Sequence, residues 1–225
     1  GVNSGSLEKQ ILAKYGAPTP QALVDSALYH ARLLERFDFN NIVISIKSSN
    51  VPSMIAAYRL AAAQMDYPLH LGVTEAGTRR MGIIKSAVGI GSLLCDGIGD
   101  TIRVSLTDDP IEEVRAARDI LKAVGKGTGV EIVSCPTCGR TQIDLIALAE
   151  RVEKALADCN KPIKVAVMGC AVNGPGEARE ADIGIAGGNG EALLFKKGVP
   201  YGKYPEEQIL DVLLEEIGRM ESEGV

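Results

Sequence analysis

The sequence predicts an α/β chain: repeated parallel βα units, then a small α+β domain. Three observations predict it. Short, β-branched apolar segments recur at intervals of about 30 residues, the length of a βαβ unit. Each is followed by a segment with helical spacing of apolar residues. A run of glycines at Gly125-Lys126-Gly127-Thr128-Gly129 then interrupts the rhythm and marks a boundary. Near-continuously apolar strands belong to parallel sheets covered by helices, so the first 130 or so residues read as a barrel or a doubly wound sheet.

The elements follow in order. Gly1–Gly5 reads as the end of a strand and Pro20–Phe37 as a helix. Asn41–Lys47 (NIVISIK) is a strand, Val51–Met65 a helix, Leu69–Thr74 (LHLGVT) a strand and Arg79–Leu94 a helix. Thr101–Leu106 (TIRVSL) is a third full strand. The helix Asp109–Val124 opens on Asp109, Pro110, Glu112 and Glu113, which suit the positive end of a helix. Beyond the glycines, Val130–Ser134 is a strand, Cys135–Arg140 a loop and Gln142–Leu156 a helix. Lys164–Met168 is a strand running into a glycine-rich loop. Two short β segments follow, Ile183–Ala186 and Ala192–Phe195, and an amphipathic helix spans Pro205–Arg219. Gly187-Gly188-Asn189-Gly190 is a β-turn: no Lys-Ser/Thr or following helix completes a phosphate loop.

Composition excludes several classes. A 46% hydrophobic content and a net charge of −5 over 225 residues describe a folded domain rather than a disordered chain. Mild acidity, no tryptophan and only three phenylalanines argue against a nucleic-acid binder. No apolar run approaches the roughly 18–20 residues of a membrane span. Gly1–Ser6 runs at once into Glu8, Lys9 and Gln10, unlike a secretion signal, so the expected location is the cytoplasm.

The five cysteines are the first candidates for chemistry. Cys135 and Cys138 form a Cys-x-x-Cys between a strand and a helix, where backbone N–H groups favour a thiolate. Cys170 ends the next strand, and two adjacent parallel strands bring both loops to one sheet edge. Three readings stay open: a thioredoxin-like dithiol or electron-transfer module, a structural zinc site, or an iron–sulfur cluster. Zinc and clusters ordinarily take four ligands; Glu177 is the nearest carboxylate to Cys170 in the same loop. Cys95, after Leu93-Leu94, and Cys159 read as packing residues.

In parallel α/β sheets ligands sit at the carboxyl ends of the strands. Those ends carry Asn3, Lys47, Glu75, Arg103 and Ser105. Two cations, a hydroxyl, an amide and one carboxylate suit a phosphorylated substrate plus an acid–base group. Glu75 follows an apolar strand, so burial is expected to keep it protonated as a general acid. His70, mid-strand, reads as a core or barrel-lining histidine.

Five motifs, in order, carry a resemblance: Gly1-Val2-Asn3-Ser4-Gly5-Ser6-Leu7-Glu8, Thr74-Glu75-Ala76-Gly77, Gly97 through Leu106, Cys135-Pro136-Thr137-Cys138-Gly139-Arg140, and Gly169 through Ala178. Together they resemble the bacterial 4-hydroxy-3-methylbut-2-en-1-yl diphosphate synthases of the methylerythritol phosphate route to isoprenoids. The resemblance implies that residues 1–126 are the C-terminal half of a TIM-type (β/α) barrel. It implies that residues 127–225 are a small α+β iron–sulfur domain similar to a sulfite-reductase module. By the same resemblance Cys135, Cys138, Cys170 and Glu177 hold a [4Fe–4S] cluster. Asn3, Lys47, Arg103 and Ser105 contact a cyclic diphosphate, and Glu75 is the catalytic acid. Flavodoxin or ferredoxin is the implied electron donor, and the implied assembly is a homodimer in which the cluster domain of one subunit closes over its partner's barrel.

Members of that family are longer at the N-terminus. Three complete strands and the end of a fourth do not close an eight-stranded barrel. The expectation is therefore a fragment with little activity alone, whose open sheet edge favours pairing with a second copy.

Overall fold

The computed structural model describes residues 1–171, 176 and 178–222. The chain divides into two compact units, Gly1–Gly127 and Thr128–Val225.

The first unit alternates short parallel strands with helices: β1 (Val2–Asn3), α1 (Lys9–Tyr15), α2 (Pro20–Glu35), β2 (Ile46–Lys47), α3 (Val51–Ala62), β3 (His70–Leu71), α4 (Arg79–Cys95), β4 (Thr101–Ile102) and α5 (Pro110–Ala123). β1 pairs with β2 and β3 with β4, all parallel, and an Ile44–Leu69 bridge joins the two pairs. Strand order thus follows sequence order without reversal, as in a barrel wall and unlike a doubly wound sheet. Strand alternation sends Ile44, Ile46, Leu71, Val73 and Val104 into one apolar core with Leu23, Met54, Tyr58, Ile90 and Leu93 of the helices. The opposite, inner face carries Asn3, Ser45, Lys47, His70, Gly72, Thr101, Arg103 and Ser105. The helix start at Asp109 is capped as the sequence suggests, and Thr19 and Asn50 likewise accept backbone N–H bonds, each of the three before a proline in the first turn.

Several expectations are corrected here. The ladders are much shorter than the apolar runs, and between β2 and β3 the Tyr58 hydroxyl takes the place of the next ladder bond (below). α1 is an unforeseen helix, closed by Gly16 in the left-handed region at φ +73°. Cys95 is exposed rather than packed. Leu93 and Leu94 take the core-facing positions of α4, and the next residue, about 100° further round the helix, faces out.

The second unit holds a five-stranded sheet in the order β5 (Glu131–Ser134), β6 (Lys164–Met168), β7 (Ile183–Gly187), β8 (Glu191–Lys196), β9 (Val199–Pro205). β5, β6 and β7 are parallel; β7, β8 and β9 form antiparallel hairpins. The strand β9 was not foreseen. Its Pro200, Gly202 and Pro205 disguise it, and all three are tolerated because it is an edge strand. Val165, Val167, Ile183, Ile185 and Leu194 pack against α6 (Leu145–Leu156) and α7 (Ile209–Ser222). Ala166, Met168, Ala186 and Phe195 form a smaller core on the other face. There a Cβ on Gly184 would lie 2.4 Å from the Phe195 ring, so the ring occupies the space a side chain would take. Cys159 packs at the edge of the larger core.

Candidate functional site

The inner face of the first unit gathers polar residues at the strand ends. Asn3 and Lys47 stand directly opposite each other in the β1–β2 register. The Asn3 Oδ1 accepts the Gly5 N–H at 2.9 Å and caps a helical turn at Ser4–Ser6, so its NH2 is what it offers a ligand. Gly1 stands where a Cβ would meet the Ser45 hydroxyl at 2.9 Å, which brings β1 close against β2.

Arg103 continues β4 and donates its backbone N–H to the Leu71 carbonyl at 2.8 Å. Its guanidinium donates through Nη1 to the Ser105 hydroxyl. The group lies over Gly72: a Cβ there would stand 2.8 Å from the Arg103 carbonyl oxygen and 3.3 Å from Nη2. The Arg103 Nε is buried without a hydrogen-bond partner among the described residues, a donor awaiting an acceptor. Next along β3, the His70 Nδ1 lies 2.7 Å from the Thr101 hydroxyl. Burial, then the Arg103 and Lys47 charges, push the imidazole below its ordinary value.

Beneath this face lies Tyr58 of α3, fully buried. Its hydroxyl accepts the Ile46 N–H at 2.9 Å and donates to the His70 carbonyl. Those are the two groups that would bond directly if the β2–β3 ladder continued beyond its His70 N–H to Ile44 carbonyl bond. The phenol therefore sits in the sheet as a spacer between the strands bearing Lys47 and His70. Burial pushes it up to about 12, so it is neutral at physiological pH.

Glu75 lies in the loop after β3 and is exposed, with left-handed backbone at φ +50°. The expected burial is corrected: the strand's apolar residues face the helices, and the chain has already turned outward at Thr74. A Thr78–Thr107 bridge and the Thr107 N–H to Gly77 carbonyl bond (3.0 Å) tie this loop to the one following Ser105. Glu75, Arg103 and Ser105 thus belong to neighbouring loops of one strand edge.

In the second unit the parallel β5–β6 pairing brings the Cys135–Cys138 loop beside the end of β6. The Gly169 N–H donates to the Cys135 sulfur at 3.2 Å, one residue before Cys170. Cys138 is exposed, and its N–H donates to the Thr141 hydroxyl at 3.2 Å. Backbone N–H donation from Arg140 holds its thiol below the ordinary value. Cys170 is buried. Glu177 lies outside the described residues. Among the described residues no three His, Cys, Asp or Glu side chains already gather as a metal site.

Sequence reasoning missed Tyr58, Gly72 and Thr101. Gly72 carried a signal, since a glycine inside a strand marks a close approach of neighbouring groups. Tyr58 carried none: one tyrosine on a helix does not disclose that its hydroxyl reaches a strand gap.

The profile described as "GcpE TIM-barrel domain" matches residues 1–118, and that described as "GcpE protein C-terminal domain" matches residues 131–219. A Clostridium perfringens protein named 4-hydroxy-3-methylbut-2-en-1-yl diphosphate synthase (flavodoxin) is 64% identical over 215 residues, covering 95% of this chain and 62% of that protein. Identically named proteins of Clostridium acetobutylicum and Geobacter sulfurreducens are 65% and 59% identical, covering 98% and 99% of this chain. The chain spans 63% and 64% of those two relatives, under two thirds of the length of each protein compared. With one profile matched across most of the first unit and the other across most of the second, the chain belongs to the GcpE family.

Proposed function

We propose that this chain is part of an enzyme that reductively opens 2-C-methyl-D-erythritol 2,4-cyclodiphosphate to 4-hydroxy-3-methylbut-2-en-1-yl diphosphate. The names of its relatives support this reading, and flavodoxin as electron donor. The observation that carries it is the inner face itself, where Asn3 and Lys47 share a register position and Arg103 and Ser105 share a hydrogen bond.

The reaction takes up two electrons and two protons, breaks the ring C–O bond to phosphate, forms a C=C bond and releases one water. Lys47 and Arg103 supply fixed positive charge to the diphosphate, and Asn3 and Ser105 supply neutral donors. The exposed Glu75 provides a proton to the hydroxyl that departs as water.

A [4Fe–4S] group fits the sulfur loops. Cluster thiolates are stabilised by N–H donors to sulfur, and both Cys135 and Cys138 have such donors. Cys135, Cys138 and Cys170 would hold it, with Glu177 as an oxygen ligand. When bound, the group supplies electrons one at a time. The mixed sheet of the second unit supports a sulfite-reductase-like module, and the homodimer rests on the resemblance alone.

One observation favours a dithiol reading instead: Cys138 is exposed and its thiol is shifted toward thiolate. Anaerobic reconstitution with iron and sulfide separates the two. The cluster reading expects bound iron and labile sulfide with broad visible absorbance, lost in Cys170→Ala. Colourless protein with a titratable Cys135–Cys138 disulfide overturns it.

A further inference from the structure

We propose that His70 is a further anion-contacting residue of the inner face, presenting its Nε2 to the same diphosphate that Lys47 and Arg103 hold. The proposal rests on the diphosphate reading above.

In the β3–β4 register His70 pairs with Thr101 and Leu71 with Ile102, which sets Gly72 beside Arg103. Side chains alternate across the sheet, so His70, Gly72, Thr101 and Arg103 share one face while Leu71 and Val73 are buried on the other. Gly72 has no side chain, and the Arg103 guanidinium occupies that space, so no residue of β3 separates His70 from Arg103. The Thr101 hydroxyl holds Nδ1. Nε2 has no hydrogen-bond partner among the described residues and is the ring atom left for a ligand.

Among the described residues, the charged groups facing the ring are both cations: Lys47 from β2 and Arg103 from β4. From α3 comes only the neutral Tyr58 phenol, which bonds the His70 carbonyl. Asp100, at the start of β4, spends a carboxylate oxygen on the Leu69 N–H at 2.7 Å. In the free protein the two cations disfavour a third positive charge, so the imidazole stays neutral near pH 7. A bound diphosphate reverses the field at the ring and favours its protonated form. His70 then adds positive charge only when the anion arrives, without adding repulsion to the empty site. By linkage, binding takes up a proton between the free and bound titration points and strengthens as pH falls through that range.

The chain has only two histidines, His30 and His70, so their imidazole resonances can be followed by NMR and assigned with His70→Gln or, independently, His30→Gln. Both are titrated over about pH 5 to 8 with and without saturating pyrophosphate. The expected result is a His70 titration below about 6.5 in the free protein that rises by about one unit or more with pyrophosphate, while His30 stays put. His70→Gln should weaken pyrophosphate binding more at low pH than at high pH. An unmoved His70 at full saturation overturns this inference and leaves the diphosphate reading standing. Absence of any pyrophosphate binding overturns both.

Discussion

The two units build their sheets differently. In the second, β5 to β9 pair over four to six residues per neighbour, with one register shift between Leu194 and Phe195 where β8 meets β9, so backbone ladders define the geometry. In the first, each ladder is two residues long and side chains fill the gaps. Tyr58 bridges Ile46 to His70, Asp100 takes the Leu69 N–H, and Glu113 takes the Leu106 N–H at 2.8 Å. A wall held by side chains can set its strand ends at spacings a continuous ladder does not allow, and that is where Lys47 and Arg103 stand. The lesson is that damage in the second unit should appear as lost stability, and damage in the first as lost binding as well.

The largest effect expected is on the ladder-built unit. Phe195→Ala empties the space over Gly184 and should cost about 3–5 kcal/mol in urea unfolding, with pyrophosphate affinity unchanged under conditions where the protein is folded. Tyr58→Phe comes next. It leaves the Ile46 N–H and the His70 carbonyl buried and unpaired, at about 1–3 kcal/mol, and should also weaken pyrophosphate binding in calorimetry. A stability loss with normal affinity would break the contrast between the units.

The smallest effect is a pH limb remote from the strand ends. Hydrogen bonds from Lys14, then Tyr15, hold the Asp25 carboxyl down at about 2, against an ordinary 3.8. A depressed carboxylate stabilises the fold above the unfolded value, and that contribution disappears as pH falls through the folded one. Urea midpoints of the wild type should therefore fall between pH 3.8 and about 2 more steeply than those of Asp25→Asn.

The sequence disclosed the helices well, because apolar spacing and a start such as Asp109 followed by Pro110 are local signals. It also disclosed which residues stand at strand ends, since alternation and the βα rhythm place them. The break in pairing between β2 and β3 was illegible because it depends on where a distant Tyr58 hydroxyl intrudes. Glu75 was misjudged for a related reason: an apolar strand before it says nothing about how soon the chain turns outward. Gly16 and its left-handed turn offered a signal for α1 that apolar spacing alone obscured.

Pyrophosphate affinity, measured by calorimetry for the wild type, Arg103→Ala and Cys170→Ala, tests most directly whether the anion site belongs to the first unit and the sulfur loops to another task. The account predicts binding weakened about tenfold or more in Arg103→Ala, the loss of a charge-assisted contact, and unchanged in Cys170→Ala. Equal affinity in all three proteins, or a loss confined to Cys170→Ala, would contradict it.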